Sequence, residues 1–368
     1  MHLDIFLSLA IGFTIVYFVI PKIIKISLIK KLFDVPNSRS ASKKVVPTLG
    51  GIAILAGFII SLIVSSDSFN INELKYMLAA IILMFIVGLK DDIIGLSAKK
   101  KFVVQLVTAL YLVLLGHYRI TDFHGILGIN EIGVVFGTFF SVLLIVGIIN
   151  ALNLIDGIDG LASGICLLIS VVYGVWFLHA GDVMYALVCF SMTGSLVAFF
   201  LYNVFGTTNK IFMGDTGSLI LGTIVALLTI RFNELNPASG LTVHGQPAIA
   251  FAIVIVPVID TIRVFAIRLS QKKSPFAPDM NHIHHHLLRL TNNHLVSSLI
   301  LISVNGLLVM LAFASFESLG NNHLFVLLVI LGFSLAGIPS FLLRFQNRSM
   351  EKADRPNSIL AFFLFHKR

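Results

Sequence analysis

The sequence predicts an all-α protein that crosses a membrane several times, as its composition and its segmentation indicate. Of 368 residues, 57% are hydrophobic and only 12% are charged, and the mean hydropathy of +0.97 is far from that of soluble proteins. Apolar runs of about 20 residues, the length that a helix needs to cross a bilayer, recur between polar breaks. Because a backbone in lipid must satisfy its own hydrogen bonds, these runs predict a polytopic bundle of transmembrane helices.

Eleven apolar runs are candidate spans, and ten is the nearest alternative count. No repeat and no polar stretch long enough for a separate soluble domain interrupts them, so residues 1–368 are expected to form one integral membrane domain. The centres of the runs are Phe13, Ile59, Leu83, Thr108, Val142, Val171, Val197, Thr223, Ile255, Leu307 and Val329.

The basic residues predict the orientation of these spans. With the amino terminus outside and the carboxyl terminus in the cytoplasm, 22 of the 26 Lys and Arg residues lie on the inner side, as the positive-inside rule requires. This topology and attraction to anionic lipid headgroups account for the net charge of +8. The lipid bilayer is therefore the expected partner of the basic residues, and no nucleic acid is predicted to bind.

The polar motifs fall on the same predicted cytoplasmic side, which indicates one active-site face. Soluble substrates and lipid headgroups can both reach that face. The segments that form it are residues 21–48, 90–101, 151–161, 203–216 and 269–294.

The first motif is the adjacent pair Asp91 and Asp92 at the inner end of the third run, followed by three lysines that end at Lys101. Two neighbouring carboxylates repel each other, so a metal, a lysine or a shared proton is expected beside them. A solvated helix end is the alternative. Carboxylates at a membrane boundary are costly, which favours a functional role for the pair.

The second motif closes the fifth run and is the most specific signal in the chain. Its spacing of three residues places Asn150, Asn153 and Asp156 along one helix face. Gly157, which precedes Asp159 by two residues, lets the backbone turn and approach a ligand closely. Capping and turn chemistry explain one or two such polar residues, but not this number in register beside an apolar run.

The third motif, Gly-Asp-Thr-Gly-Ser, opens the eighth run and contains Asp215. A carboxylate in this position is either a helix N-cap or a ligand of Mg²⁺, which commonly uses one or two carboxylates together with substrate phosphates. The free N–H groups at the helix start are also expected to suit phosphate oxygens.

The fourth motif is a cluster of histidines that includes His282, His284 and His285. Clustered histidines bind a transition metal, donate to phosphate or sugar oxygens, or lie in solvent. The chain has no His-Glu-x-x-His motif or cysteine partner for a zinc hydrolase, so hydrogen bonding to a substrate is preferred. Upstream of this cluster, Asp260 and Arg263 are predicted to form an internal ion pair.

The first inner segment contains Lys44 and Thr48 among turn-forming residues. Such a segment could close over an anionic ligand. A basic loop that merely flanks the membrane is the alternative.

Taken in order, these motifs resemble those of the polyprenyl-phosphate N-acetylhexosamine-1-phosphate transferases. The matching motifs are Lys-x-x-Pro-Thr-x-Gly-Gly, Asp-Asp, Asn-x-x-Asn-x-x-Asp-Gly-x-Asp-Gly, Gly-Asp-x-Gly-Ser and His-x-His-His. They run from about Asp34 to Arg289, which is most of the chain. The histidine segment is most similar to that of the branch that transfers N-acetylglucosamine (GlcNAc) 1-phosphate.

The resemblance implies a reaction in which undecaprenyl phosphate attacks the β-phosphorus of a UDP-N-acetylhexosamine, with GlcNAc as the expected sugar. The products are a lipid-linked sugar diphosphate and UMP, and Mg²⁺ is the implied cofactor, with Mn²⁺ as an alternative. The implied location is the bacterial inner membrane, with the active site facing the cytoplasm. The reaction would begin the synthesis of a cell-envelope glycan such as lipopolysaccharide.

The resemblance also assigns roles to individual residues. Asp215 matches the metal ligand and Asn153 the residue beside the metal and the diphosphate. Asp91 and Asp92 match the pair proposed to deprotonate or position the lipid phosphate, and Lys101 matches a phosphate-facing lysine. The residues predicted to bind substrate are Lys44, Thr48, Asn150, Asn153, Asp156, Gly157, Asp159, His282, His284 and His285.

Three other classes of protein fit the sequence less well. A transporter with Asp and His ion or proton sites would place polar residues near span centres, whereas here they crowd the inner ends. An alcohol phosphatidyltransferase fits the motif spacing poorly, and a scaffold leaves the convergence of five segments unexplained. Direct and two-step mechanisms both stay open, and a homodimer is one candidate assembly.

Overall fold

The computed structural model describes residues 2–32, 46–65, 71–235, 246–274 and 280–353. The described chain is mainly helical, as predicted. Lys44 and the middle of the segment before the histidines, residues 275–279, lie outside the described residues. The predicted role of Lys44 in substrate binding therefore stays a prediction.

Twelve helices and two short strands follow one another along the described chain. In order they are α1 (His2–Lys30), α2 (Gly50–Val64), α3 (Ile71–Ile94), α4 (Ala98–Leu114), β1 (Asp122–Ile126), β2 (Ile129–Glu131), α5 (Val134–Ile155), α6 (Leu161–His179), α7 (Val183–Phe205), α8 (Gly214–Glu234), α9 (Gln246–Ile253), α10 (Ile255–Ser270), α11 (Ile283–Thr291) and α12 (His294–Ala353).

Helix α8 lies at the centre of the bundle, packed against α2, α3, α5 and α6. Of its most apolar stretch, 89% is buried, compared with 22% for α1 and α12. A helix enclosed on all sides needs no polar face for solvent and no uniform apolar face for lipid. This position places the start of α8, with Asp215, in the middle of one end of the bundle.

The number of spans is confirmed only in part. A helical segment covers each of the eleven predicted centres, but only six of the described helices are individually long and apolar enough to cross a membrane, or seven if one bent pair is counted as a span. Helix α2 has 15 residues, and α3 and α4 carry charged residues at the ends that meet. The count of eleven and the orientation of the termini stay predictions.

The ninth predicted span is broken rather than continuous. Helices α9 and α10 meet at an angle of 79°, three residues before Pro257, which has no N–H to donate to Ile253. Asn305 of α12 stabilises the break, because its Nδ2 donates to the Ile253 carbonyl at 3.0 Å and its Oδ1 accepts from the Val256 N–H at 3.2 Å. Breaks of this kind persist in a bundle when a neighbouring side chain satisfies the freed backbone groups.

The tenth and eleventh predicted spans are the two halves of α12. Gly320 separates them with a left-handed, non-helical backbone conformation (φ 68°, ψ 168°). A residue without a Cβ adopts this conformation at little cost.

The structure adds one element that the sequence did not predict, a small antiparallel hairpin of β1 and β2 between α4 and α5. Gly125 near the end of β1 and Gly128 in the turn both have positive φ. The hairpin lies at the end of the bundle opposite Asp215, where Asn321 of α12 donates to the His124 carbonyl at 2.8 Å. A connection this short and polar carries no long apolar run, so hydropathy does not reveal it.

Candidate active site

The site is built around the first turn of α8, where the ends of α3, α4 and α5 also meet. Lys101 of α4 lies between two carboxylates, with its Nζ 2.7 Å from Asp91 Oδ2 and 3.5 Å from Asp215 Oδ2. Asn153 of α5 donates from Nδ2 to the other oxygen of Asp215 and, at 2.8 Å, to Ser218 Oγ. Residues from three predicted motifs are therefore in direct contact.

Asp92 has a different environment from its neighbour Asp91. Its Oδ1 accepts from the Asp215 N–H at 2.8 Å, and its Oδ2 accepts from the Thr216 N–H at 2.9 Å and the Thr216 hydroxyl at 2.5 Å. The carboxylate therefore caps α8 from another helix, a favourable position for a negative charge at a helix start. The prediction that these N–H groups are free for phosphate was wrong for Asp215 and Thr216, because Asp92 accepts from both. A catalytic role for Asp92 stays a prediction.

Glycines allow α2 and α3 to approach the start of α8 closely. A Cβ on Gly88 of α3 would lie 2.5 Å from the Thr216 Cα and 2.8 Å from the Asp215 carbonyl oxygen. On the opposite side, a Cβ on Gly51 of α2 would overlap the backbone of Gly217. Sequence reasoning missed this role of Gly51 and Gly88, because the approach of two helices is a tertiary property.

The segment that precedes α2 is attached to the segment that precedes α8. The Phe212 N–H donates to the Pro47 carbonyl at 2.8 Å, and the Gly50 N–H donates to the Phe212 carbonyl at 3.0 Å. Thr48 lies within this contact and is 9% exposed. The structure thus brings Thr48 to the start of α8, where its predicted role in substrate binding stays untested.

The asparagines and aspartates of the second motif divide into different environments. Asn150 donates to Gln105 Oε1 at 2.7 Å and to the Val146 carbonyl at 2.8 Å, so both of these bonds are within the protein. Asp156 follows the last residue of α5 and is only partly exposed. Burial raises the pKa of Asp156 to about 8, and the negative charges of nearby carboxylates act in the same direction. Asp156 therefore lies close to the acidic centre, by which we mean the carboxylates of Asp91, Asp92 and Asp215. Asn150, by contrast, supports α5.

Asp159 forms an ionic cluster with two residues that the sequence did not indicate. Its Oδ2 lies 2.5 Å from Lys210 Nζ and 3.1 Å from His294 Nδ1. Burial raises the pKa of Asp159, but bonds to His294 and Lys210 outweigh this effect and leave the pKa below its ordinary value. Lys210 and His294 stand outside every recognisable motif, so only the folded chain identifies them.

The histidines of the fourth motif are held by Asp260, which is 2% exposed. Asp260 accepts from the Ile283 N–H at 2.9 Å, and its Oδ2 lies 2.9 Å from His282 Nδ1. Its predicted ion pair with Arg263 is confirmed at 3.6 Å. The other ring nitrogen of His282 lies 3.5 Å from Arg268. Both nitrogens of His282 therefore face protein groups, and its direct contact with a substrate stays a prediction.

His284 is the histidine that packs against the second motif. It is 1% exposed, and a Cβ on Gly157 would overlap its Nε2. Neither ring nitrogen of His284 has a hydrogen-bond partner among the described residues. A buried polar group without a partner is unfavourable, so this ring is suited to a hydrogen bond with a ligand or a water molecule. His285 lies beside it, with the ring centroids 4.2 Å apart.

Comparison with known proteins decides the family. The sequence profile of glycosyl transferase family 4 matches residues 74–233. The undecaprenyl-phosphate alpha-N-acetylglucosaminyl 1-phosphate transferase of Salmonella typhi is 32% identical over 290 residues, or 77% of this chain and 75% of that protein. The chain belongs to glycosyl transferase family 4. The resemblance found in the sequence motifs is thereby confirmed.

Two further relatives of this family 4 protein align with it over a similar share of each chain. The probable undecaprenyl-phosphate N-acetylglucosaminyl 1-phosphate transferase of Bacillus subtilis (strain 168) is 33% identical over 73% of each chain. The undecaprenyl-phosphate alpha-N-acetylglucosaminyl 1-phosphate transferase of Escherichia coli (strain K12) is 30% identical over 70% of this chain and 69% of that protein. The family match from 74 to 233 includes Asp91, Lys101, Asn153 and Asp215.

The acidic centre of this family 4 protein offers few side chains for a metal ion. Among the described residues, no group of three or more His, Cys, Asp or Glu side chains is arranged to hold one. The residues that could hold a divalent cation there are Asp215 and Asn153, because Mg²⁺ commonly uses one or two carboxylates and takes its remaining ligands from water or a phosphate-bearing substrate.

The lowered pKa values of His284 and His285 predict that the stability of this family 4 protein depends on pH. Burial lowers the pKa of His285 to about 4 and that of His284 well below its ordinary value. The unfolded chain therefore binds these protons more readily, and stability falls as the pH decreases from about 6.5 to about 4. In His285→Gln, the decrease in melting temperature between pH 7 and pH 5 should be smaller than in the wild type. An equal decrease in both proteins would contradict this prediction.

Proposed function

We propose that this protein transfers GlcNAc 1-phosphate from UDP-GlcNAc to undecaprenyl phosphate and releases UMP. The observation that carries the proposal is the contact of Asp91, Lys101, Asn153 and Asp215 at one end of the central helix. Phosphoryl transfer depends mainly on positioning and on neutralising charge, and this group contains a cation between two carboxylates. The names of the relatives support the choice of sugar and lipid.

In the proposed reaction, an oxygen of undecaprenyl phosphate attacks the β-phosphorus of the nucleotide sugar. The bond from that phosphorus to the oxygen bridging the two phosphates breaks, and UMP leaves with the bridging oxygen. The products are UMP and a lipid-linked sugar diphosphate. Asp91 holds Lys101 in position, and Lys101 attracts the lipid phosphate to the site. We favour direct transfer, because Lys101 already neutralises Asp91 and Asp92 is engaged in capping α8.

We propose Mg²⁺ as the cofactor, held by Asp215 beside Asn153. When bound, the ion neutralises negative charge that develops on the phosphate oxygens. The raised pKa of Asp156 supports a cation there, because it reflects burial and repulsion among nearby carboxylates that a positive ion would relieve. Asp156, Gly157 and Asp159 would line the nucleotide side, with His284 and His285 on the sugar side.

The proposed orientation places this site at the cytoplasmic surface of a bacterial inner membrane. The amino terminus would lie outside and the carboxyl terminus inside, with eleven spans. Its support is the charge distribution, since 22 of the 26 Lys and Arg residues fall on one side in this arrangement. A nucleotide sugar from the cytosol would then meet a lipid phosphate at headgroup depth, at the start of cell-envelope glycan synthesis.

The test is UMP release by purified protein in detergent with undecaprenyl phosphate, Mg²⁺ and a panel of UDP-sugars. We expect release with UDP-GlcNAc that requires the lipid and stops with EDTA. Release with another UDP-sugar alone would change the sugar but keep the reaction class. Folded protein that releases no UMP with any donor would overturn the proposal.

A further inference from the structure

A second ligand site is suggested by an apolar cavity that the proposed reaction does not use. It has a volume of about 280 Å³ and lies between α10, α11 and the two halves of α12. Its walls include Ile259, Ile283, Leu287, Leu301, Leu335 and Leu342. Such walls suit a hydrocarbon chain and offer no polar partner to a nucleotide or a sugar.

The cavity and the candidate active site are contacted by different residues of α11. His284 packs against Gly157 on the side of the candidate active site, whereas Ile283 and Leu287 line the cavity. A chain in the cavity therefore contacts residues of α11 other than the one that packs against Gly157.

Cationic side chains lie around Ser340, next to the cavity. Ser340, which follows the cavity residue Pro339, accepts from Arg263 at 2.7 Å and lies 2.7 Å from His286 Nδ1. Burial lowers the pKa of His286, and the positive charges of three arginines, Arg263, Arg289 and Arg344, act in the same direction.

Two of these arginines are available to a headgroup. Arg289 and Arg344 are exposed, and the charges of both act on His286, which bonds Ser340 beside the cavity residue Pro339. Asp260 opposes the positive charge, but it is buried and already bonded to His282 and Ile283. Positive charges therefore lie near Ser340, next to the apolar cavity.

We propose that this cavity holds one acyl chain of an anionic phospholipid whose phosphate binds Arg289 and Arg344. Charge complementarity identifies the occupant, because a phospholipid joins a negative headgroup to an apolar chain, and here positive charges lie beside an apolar cavity. Arginine suits phosphate because its guanidinium presents several donors in one plane. The bound lipid would brace α11, and thus the position of His284, without taking part in the reaction.

The test measures lipid binding, so it does not depend on the proposed reaction. Delipidated full-length protein would be titrated with phosphatidylglycerol or phosphatidylcholine, and bound lipid would be counted by native mass spectrometry. Since each cation near an anionic headgroup contributes roughly 1 kcal/mol, we expect Arg289→Gln/Arg344→Gln to weaken phosphatidylglycerol binding by about 30-fold. Phosphatidylcholine should bind wild type and variant equally weakly.

The matched control removes two charges from the same side of the protein. Lys272 and Lys273 follow α10 and are exposed, and Lys272→Gln/Lys273→Gln should leave binding unchanged. An equal loss in this control would show that surface charge alone attracts the lipid and would overturn the site.

A second variant tests the position of the chain. Val304→Phe fills the cavity without changing charge, and in protein that keeps its size-exclusion profile it should also weaken phosphatidylglycerol binding. Unchanged binding in this variant would place the chain elsewhere and overturn the proposal. Displacement of phosphatidylglycerol by equimolar undecaprenyl phosphate would assign the site to the reaction's own lipid, which also overturns it.

Discussion

Replacing Asp215 with Asn is expected to reduce UMP release by about 10³-fold, because it removes the carboxylate that we propose holds the Mg²⁺. The substitution is close to isosteric, and one oxygen remains to accept from Asn153. The cap of α8 should survive, since Asp92 binds the backbone N–H of residue 215 and not its side chain. The measurement is the initial rate of UMP release as a function of Mg²⁺ concentration.

Asp182→Asn is the matched control for this loss of one carboxylate. Asp182 lies at the other end of the bundle, where it pairs with Arg231 at 2.8 Å, so its replacement should leave the Mg²⁺ dependence of the rate unchanged. Full activity of Asp215→Asn at limiting Mg²⁺ would remove Asp215 from the proposed metal site. Loss of the folded protein would be seen as a changed size-exclusion profile and would require Asp215→Ser as a second variant.

Replacing Gly88 with Ala is expected to lower UMP release by about 10²-fold, because a displacement of about 1 Å at a reacting centre can have this effect. The added Cβ would lie 2.5 Å from the Thr216 Cα and 2.8 Å from the Asp215 carbonyl oxygen. Neither atom belongs to a flexible side chain, so the start of α8 must move. The melting temperature should also fall, since overpacking typically costs about 1–3 kcal/mol.

Gly147→Ala is a close control because it makes the same change inside another helix. Nothing lies within 4 Å of a Cβ at Gly147 of α5, and alanine has a higher helix propensity than glycine. This variant should therefore keep its activity and melt at the same temperature or higher. Equal activity of Gly88→Ala and Gly147→Ala would show that the packing of α3 on α8 does not position Asp215.

The position of Asp215 illustrates how sequence and structure each contribute to the site. Its helix-start location could be predicted, because Gly214 and Thr216 precede a long apolar run. Its partners Lys101 and Asn153 were also identified, as members of separate motifs. That all three meet follows from the packing of α4, α5 and α8, which no local pattern contains.

Asp91 and Asp92 show the limit of reading neighbouring residues as a unit. A metal, a lysine or a shared proton was predicted beside the pair, and Lys101 lies beside Asp91, whereas Asp92 caps α8. Successive residues on a helix point about 100° apart, so they contact different elements. Which of the two faces a lysine depends on the rotation of α3 against its neighbours.

The amino-acid sequence by itself determined that this is a helical membrane protein of the transferase family, because hydropathy and short motifs are local properties. Only the tertiary structure decided that Asp92 caps α8, that Asp260 holds His282, that Asn305 stabilises the break before α10 and that Lys210 and His294 join Asp159. Each of these contacts joins residues separated by more than 20 positions. Such contacts depend on how the helices rotate and pack, and sequence periodicity does not encode the choice of partner across that packing.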